Sequence, residues 1–205
     1  MIQYEGKLYR PPSEANSLIL QATIGCSYNR CTFCAMYRDK RFRVRPLQEL
    51  LAEIEWAQAH LGRVDKVFLA DGDALMAKAS FLGELLDALR EAFPELRRVS
   101  CYASPQSIQV RSVEEMRDLK ERGLTLYYLG IESGHDEVLE RLDKGVDAKE
   151  MIAVGQKAHA AGVKLSTMVL LGAGGRAGSR GHAEESARVV NEIGPRFVST
   201  LVMSP

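Results

Sequence analysis

The sequence predicts an α/β fold in which six parallel strands alternate with helices and curl into a partial (βα)6 barrel. Short apolar, β-branched runs recur along the chain with helix-forming segments between them, which is the pattern of βαβ units. The runs carry apolar residues at successive positions, as strands that are covered on both faces do. Because βαβ crossovers are almost always right-handed, the sheet is expected to curl, and six strands are fewer than the eight that close a barrel.

The first half of the chain contains three predicted strands, at residues 17–25, 66–70 and 98–103. A helix is predicted over residues 47–60, where apolar residues recur at helical spacing and Gly62 then ends the pattern. A second helix is predicted from Ser80, interpreted as its N-cap, to about Phe93, and Pro94 is interpreted as the stop.

The second half of the chain continues the alternation. Strands are predicted at residues 124–131, 163–171 and 196–203, and helices at residues 136–142, 148–161 and 182–193. A helix over residues 112–122 is predicted to begin with a capping box formed by Ser112 and Glu115. The glycine-rich stretch 172–175 follows a predicted strand, and it lacks the Gly-Lys-Ser/Thr sequence of a phosphate-binding loop.

The composition is that of one globular domain, with 46% hydrophobic and 26% charged residues among 205. Basic and acidic residues balance at 27 each, so the chain lacks the positive field of a dedicated nucleic-acid-binding protein. No apolar run approaches the roughly 18 residues that span a bilayer, and residues 1–10 lack the apolar core of a secretory signal. We therefore expect a single cytoplasmic domain over residues 1–205, without a membrane partner and with residues 1–16 as an N-terminal extension.

The cysteines are the most specific feature of the sequence. Three of the four fall within nine residues, as Cys26, Cys31 and Cys34 in the pattern C-x4-C-x2-C. In a reducing compartment such a group indicates a metal site rather than disulfides. Three thiolates on one loop suit a [4Fe-4S] cluster in which three irons have protein ligands and the fourth is open for chemistry. Cys101 lies in an apolar run and is interpreted as a buried core thiol.

Two other interpretations of the cysteines stay open. A structural zinc site would need a fourth ligand, from Cys101 or from one of the four histidines, and none of these forms a second close-spaced pair. Such a site would make the chain a zinc-stabilised binding module. An iron–sulfur electron carrier or scaffold, with no chemistry at the open iron, is the other alternative.

Polar residues follow the predicted strands at their carboxyl ends, as the cysteines do. The segment 71–73 follows the second strand, Ser104 follows the third, Glu132 follows the fourth, and the glycine-rich stretch 172–175 follows the fifth. The carboxyl ends of parallel strands meet at one edge of the sheet, where ligands bind. These residues are therefore expected to form one site with the cysteines.

These features resemble those of the radical S-adenosylmethionine (radical SAM) enzymes. The likeness lies in the cysteine loop with Phe33 before its last cysteine, in Asp71-Gly72-Asp73 and in Leu129-Gly-Ile-Glu132-Ser-Gly134, and it extends from about residue 17 to residue 203. The resemblance implies a six-stranded partial barrel and a [4Fe-4S] cluster whose open iron is chelated by SAM. It also implies reductive cleavage of SAM to methionine and a 5′-deoxyadenosyl radical, which usually abstracts a substrate hydrogen. The commonest spacing in that family is C-x3-C-x2-C, and this chain has one residue more.

The resemblance also implies roles for individual residues. Cys26, Cys31 and Cys34 would be both the cluster ligands and the catalytic residues. The segment Asp71-Gly72-Asp73 would hold the SAM amino group, because an ammonium needs acceptors and glycine lets the backbone approach closely. The alternative for this segment is a strand-to-helix turn with solvated aspartates.

Four further residues complete the predicted cofactor-binding set. Glu132 would accept hydrogen bonds from the SAM ribose, the alternative being a solvated loop residue. Lys144 would meet the SAM carboxylate, the alternative being a solvated charge after a helix. Phe33 is included because it lies in the cysteine loop, and Ser104 is included because it follows the third strand. The stretch 172–175 would either let adenine or methionine approach the backbone or form a flexible loop.

The sequence indicates less about the partners of the protein than about its cofactors. The basic run 38–45 is interpreted as a solvated or salt-bridged connection, with a phosphate, carboxylate or RNA contact as the alternative, so nucleic acid is not indicated. The family resemblance implies an external electron donor such as a flavodoxin or ferredoxin, and a substrate that the sequence does not identify. Two residues follow the last predicted strand, so we expect the usual C-terminal covering region to be absent and an apolar strip to be exposed along residues 197–203.

Overall fold

The computed structural model describes residues 1–203 and confirms the predicted α/β class. The strands are β1 (Leu18–Gln21), β2 (Thr23–Ile24), β3 (Arg43–Val44), β4 (Lys66–Ala70), β5 (Arg98–Ala103), β6 (Leu124–Glu132), β7 (Lys164–Leu171) and β8 (Phe197–Val202). Six of them form one sheet in the order β1-β4-β5-β6-β7-β8, with every neighbouring pair parallel. The sheet thus has two edges, β1 and β8, as expected for an open barrel.

Helices connect the strands of this sheet. They are α1 (Leu47–His60), α2 (Ala79–Ala92), α3 (Pro105–Val110), α4 (Val113–Glu121), α5 (Asp136–Arg141), α6 (Ala148–Ala160) and α7 (Gly175–Ile193). The capping box of Ser112 and Glu115 is present at the start of α4, as predicted. None of the helices in the described part of the chain combines the length and apolarity needed to cross a membrane.

The first predicted strand is wrong in its extent, because the chain leaves the main sheet at Ala22. Gln21 is the last residue of β1 paired with β4, and β2 pairs instead with β3 in a small antiparallel sheet. The backbone carbonyl of Ala22 accepts a hydrogen bond from the amide of Arg45. The cysteine loop therefore follows a short hairpin strand and not the barrel strand itself.

Three helix starts also differ from the prediction. Ser80 is not an N-cap, because α2 begins at Ala79 after Lys78 and has no side-chain cap. The last helix, α7, begins at Gly175, seven residues before the predicted start, so the glycine-rich stretch is a turn that opens directly into a helix. Helix α3 was not predicted, and its N-cap is Ser104.

The strands alternate between two apolar faces. Residues such as Leu69 and Cys101 point towards the helices and form the main core, which confirms Cys101 as a buried thiol. The opposite face carries a cluster of aromatic rings in edge-to-face contact, from Phe68, Tyr102 and Tyr128. Because helices cover the first face, the aromatic face lines the inside of the curled sheet.

The N-terminal extension packs against the barrel strands. Its Leu8 packs on the aromatic cluster, and the hydroxyl of Tyr4 donates to the carbonyl of Ile19 in β1. The fully buried carboxylate of Glu14 pairs with Arg98 at 2.7 Å and accepts from the Tyr128 hydroxyl at 2.6 Å. These contacts make the extension part of the domain.

Candidate active site at the carboxyl ends of the strands

The three clustered cysteines lie on the loop between β2 and β3, and each is free and half-buried. The loop begins after Gly25, whose φ of +75° is a left-handed conformation that glycine adopts without strain. Burial raises the pKa of the Cys26 thiol to about 11, although the backbone amides of Asn29 and Tyr28 oppose this by hydrogen bonding to it. Burial also raises the pKa of Cys31, against the attraction of the nearby Lys144.

The far end of the cysteine loop is attached to the segment after α5. The amide of Thr32 donates to the carbonyl of Leu142 at 3.0 Å, and the Tyr28 hydroxyl donates to the Asp143 carboxylate at 2.8 Å. Phe33 packs on a small apolar cluster that includes Leu142, and its ring lies 6.0 Å from the Lys144 ammonium. Phe33 thus anchors the loop beside the predicted SAM residues.

Asp71 lies at the end of β4 and has no exposed surface. Its Oδ2 accepts hydrogen bonds from the side chain of Gln21, the amide of Gly25 and the ammonium of Lys40, at 2.9 to 3.0 Å. Its Oδ1 is buried and has no hydrogen-bond partner among residues 1–203. The solvated alternative for Asp71 is therefore wrong, and its contacts tie β1, β4 and the start of the cysteine loop together.

Asp73 is also fully buried, so the solvated alternative is wrong for it as well. It accepts hydrogen bonds from the amide of Ser104 at 3.0 Å and from the Ser104 hydroxyl at 2.7 Å. The hydroxyl of Ser27, next to Cys26, donates to the same carboxylate. Asp73 and Ser104 are thus brought together as predicted, and they link the cysteine loop to the start of α3.

Gly72 lies against the cysteine loop with no room for a side chain. A β-carbon at Gly72 would lie 2.9 Å from the β-carbon of Cys26 and 2.5 Å from the nearest atom of the Tyr37 ring. The amide of Gly72 donates to the carbonyl of Gly25 at 3.0 Å. The close approach of backbone and Cys26 explains why glycine stands between the two aspartates.

Glu132 and Lys144 form a buried ion pair with 3.0 Å between Oε1 and Nζ. The solvated alternatives for both residues are therefore wrong. Burial lowers the pKa of Lys144, but Glu132 and Cys31 raise it, and the net effect is a raised pKa that keeps the ammonium charged. The pair lies close enough to Cys31 for both groups to act on its thiol electrostatically.

The backbone is irregular where Glu132 leaves the sheet. Its φ is +64°, and the pairing of β6 with β7 shifts register between Gly130 and Glu132. A β-carbon at Gly130 would lie 2.9 Å from the Glu132 carboxyl carbon and 3.2 Å from the Lys144 nitrogen. Such irregularities re-aim side chains and concentrate at functional sites.

Several side chains of the basic run 38–45 bind other groups of this chain. Arg45 is buried and pairs with Glu53 at 2.8 Å, and Arg43 pairs with Glu5. Lys40 pairs with Asp71, and Arg38 bonds to carbonyls of the cysteine loop. The preferred interpretation, a salt-bridged connection, is confirmed for Lys40, Arg43 and Arg45.

Sequence reasoning missed several residues that build the site. Gln21 and Lys40 fix Asp71, Ser27 bonds to Asp73, and Tyr37 covers Gly72. Of these residues, only Lys40 belongs to a recognisable sequence feature, the basic run. That run does not show which acidic side chain each basic side chain pairs with.

The donor chemistry of the cysteine loop fits an iron–sulfur cluster. Thiolates are the ligands that such clusters take, and in a four-iron cluster each thiolate binds a different iron. Cys26, Cys31 and Cys34 are free and half-buried on one loop, so they can supply three ligands and leave the fourth iron open. Within the described range 1–203, no three His, Cys, Asp or Glu side chains lie close enough together to bind one metal ion.

Comparisons with known proteins identify the family. The family model of the Radical SAM superfamily matches residues 20–175. The 4′-phospho-dehydrooxetanocin synthase of Priestia megaterium is 27% identical over 172 residues, which cover 73% of this chain and 22% of the synthase.

Solved structures show the same fold. Methylornithine synthase superimposes with a TM-score of 0.68 at 16% identity, over 92% of this chain and 53% of that one. Native anSMEcpe with bound AdoMet superimposes with a TM-score of 0.71 at 14% identity, over 91% of this chain and 51% of that one. The chain thus spans about a fifth of the curated relative and about half of each of these two structures. With the family match covering most of its length and the cysteine loop in place, the chain belongs to the radical SAM superfamily.

Proposed function

We propose that this protein binds a [4Fe-4S] cluster through Cys26, Cys31 and Cys34 and cleaves SAM reductively beside it. The observation that carries the proposal is the position of the three free thiols, on one held loop next to the buried Glu132–Lys144 pair. When bound, the cluster supplies the electron that splits SAM into methionine and a 5′-deoxyadenosyl radical. The residues of this chain hold, orient and shield the two cofactors.

The proposed SAM contacts follow from charge and backbone access. Lys144 is a buried cation for the SAM carboxylate, and Glu132 supplies acceptors for ribose hydroxyls. Gly72 brings backbone next to Cys26, which suits the amino group beside the cluster. Protein donors occupy Oδ2 of Asp71 and both carboxylate oxygens of Asp73, so we assign these two residues to holding Gly72 and the loop.

The cluster assignment is tested by anaerobic reconstitution. We expect roughly four irons and four sulfides per chain, with release of 5′-deoxyadenosine from SAM after reduction by dithionite. Replacing Cys26, Cys31 and Cys34 together by alanine should abolish both. The matched control is Cys101→Ala, which removes a thiol from the main core and should leave both unchanged.

The same experiment separates the alternatives. A full cluster without any 5′-deoxyadenosine would identify an electron carrier or scaffold, and stoichiometric zinc in place of iron would identify a binding module. Either result contradicts the proposal.

The SAM contacts are tested by calorimetric titration of SAM into the cluster-loaded protein. Glu132→Gln and Lys144→Met should each weaken binding by about 1–3 kcal/mol, the scale of a lost hydrogen bond to a charged group. Glu137→Gln and Lys149→Met replace exposed residues of the same types and serve as controls. Because breaking a buried pair also destabilises the fold, the folded fraction of each variant is measured first. Parent affinity in both buried variants would refute these contacts.

The physiological setting follows the family. A substrate and a reductant are needed for turnover, and we propose a small electron-transfer protein such as a flavodoxin or ferredoxin as the reductant. The cytoplasmic location stays a prediction from the sequence.

A further inference from the structure

The guanidinium of Arg38 is surrounded by backbone carbonyls of the cysteine loop. Its Nε donates to the carbonyl of Cys34 at 3.1 Å, and its Nη1 to that of Asn29 at 3.0 Å. Its Nη2 donates to the carbonyls of Arg30 at 3.2 Å and Cys31 at 2.5 Å. Four of the five N–H groups of the Arg38 side chain therefore donate to four carbonyls of the loop.

Asn29 connects the Arg38 contacts to the amides that face the Cys26 sulfur, which are those of Tyr28 and Asn29. Asn29 donates its amide hydrogen towards Cys26 while its carbonyl accepts from Arg38. Asn29 has a φ of +44°, and its side chain donates to the carbonyl of Tyr37 at 2.7 Å. The left-handed residue lies between Cys26 and Cys31, where this chain has four intervening residues.

Hydrogen bonds to cluster sulfurs and the nearby charge both tune an iron–sulfur centre. Arg38 supplies a positive charge next to the loop, and it holds the carbonyl of Asn29, the residue whose own amide points at Cys26. It has one N–H left over, which is too few for the two-pronged grip that arginine uses on phosphate or carboxylate. Its contacts thus favour an internal role over binding an external anion.

We propose that Arg38 is a positioning residue for the iron–sulfur cluster: it holds the C-x4-C-x2-C loop in the ligating conformation and, through the Asn29 carbonyl, restrains the residue whose amide faces Cys26. The proposal rests on the proposed function, in that the cluster is the group the loop receives. The hydrogen bonds of Arg38 lie within the chain itself, so they permit a test that does not depend on cluster assembly.

The test compares three variants with the parent protein. Arg38→Met removes the charge and all four hydrogen bonds, whereas Arg38→Lys keeps the charge and loses the planar fork. Arg41→Met removes a neighbouring exposed arginine for which the described residues 1–203 offer no hydrogen-bond or ion-pair partner, and it is the matched control. Arg38 lies on an exposed loop, so its variants are checked for parent-like unfolding transitions.

The first readout is amide hydrogen exchange of residues 27–34 in the cluster-free protein. Arg38→Met should speed exchange in this loop by about tenfold or more, the effect of losing roughly one hydrogen bond to a charged group. Arg38→Lys should lie between Arg38→Met and the parent. Arg41→Met should match the parent.

The second readout uses the reconstituted protein. Iron release to a chelator should be about tenfold faster in Arg38→Met, and the cluster midpoint potential should fall, because a positive charge and oriented amides are lost. Parent-like exchange, iron release and potential in Arg38→Met would overturn the proposal. If the parent itself assembles no cluster, the proposed function fails, while the exchange data still report whether Arg38 holds the loop.

Discussion

Burial determines the backbone conformation or the charge of individual residues near the carboxyl ends of the strands, as Glu132 and His182 show. Glu132 adopts a left-handed backbone beside Gly130, and only a glycine at that neighbour leaves space for its carboxylate. His182, on α7, is buried, and its Nδ1 lies 2.8 Å from the Ser133 hydroxyl. Burial lowers the pKa of His182, a backbone contact with Leu170 opposes this, and the nearby His135 lowers it further. The folded protein therefore favours neutral His182.

This preference predicts a pH dependence of stability. A histidine with a lowered folded-state pKa binds fewer protons when folded, so the free energy of unfolding should fall as the pH drops through about 6.5, the ordinary histidine value. The loss should be complete once the pH is below the folded-state pKa. His182→Gln cannot titrate and should show a shallower fall between pH 7.5 and pH 5 in urea unfolding.

The matched control is His60→Gln, which replaces an exposed histidine of α1. If His182→Gln and the parent lose stability with the same slope, the buried histidine does not contribute to the pH dependence.

Helix starts show what separates a real cap from a plausible one. The Ser112 side chain accepts from the amide of Glu115 at 3.0 Å, and the Glu115 carboxylate accepts from the amide of Ser112 at 2.9 Å. Ser80, like Ser112, is a serine near the start of a helical pattern. It does not cap α2, because that helix already begins at Ala79. A serine caps only when its backbone is extended and outside the helix.

We expect Ser112→Ala to destabilise the protein by about 1 kcal/mol, the usual cost of losing an N-cap. Ser80→Ala should change the free energy of unfolding by less than about 0.5 kcal/mol, since it is an exposed position without a cap. Chemical denaturation of both variants makes the comparison. Equal effects of the two substitutions would count against the cap assignment.

At the scale of the whole molecule, the sheet ends in the edge strand β8, which no other element among residues 1–203 covers. Every residue of β8 is exposed, including Phe197, Val198 and Leu201 at about half of their surface and Val202 at 77%. This is the apolar strip that the sequence predicts for residues 197–203. An exposed edge strand carries unpaired backbone groups that pair readily with another chain.

We therefore predict that the protein self-associates through β8 in a concentration-dependent way. Val202→Lys places a charge on the edge and should shift the sedimentation profile towards monomer. Val110→Lys alters a residue of similar exposure, 70%, at the end of α3, and it should leave association unchanged. A parent protein that stays monomeric at all concentrations would contradict the prediction.

The sequence by itself determined the class and most strand positions, and from it the cluster ligands are predicted. Strands β4 and β5 begin and end where predicted, because a buried parallel strand needs a continuous apolar run that can be read locally. The cysteine spacing is equally local, and it identified the family together with Phe33 and the Glu132 segment. These features depend on residues that are near one another in the chain.

The tertiary structure alone decided how the charges pair and where the chain turns. Lys40 meets Asp71, Lys144 meets Glu132, and Arg38 turns back onto the cysteine loop, each across a separation that no local pattern encodes. The chain likewise leaves the main sheet after β1 because β2 pairs with β3, a strand about 20 residues further along the chain. A buried charge is stable only with a partner, and which partner reaches it is set by the packing of strands and loops around the site.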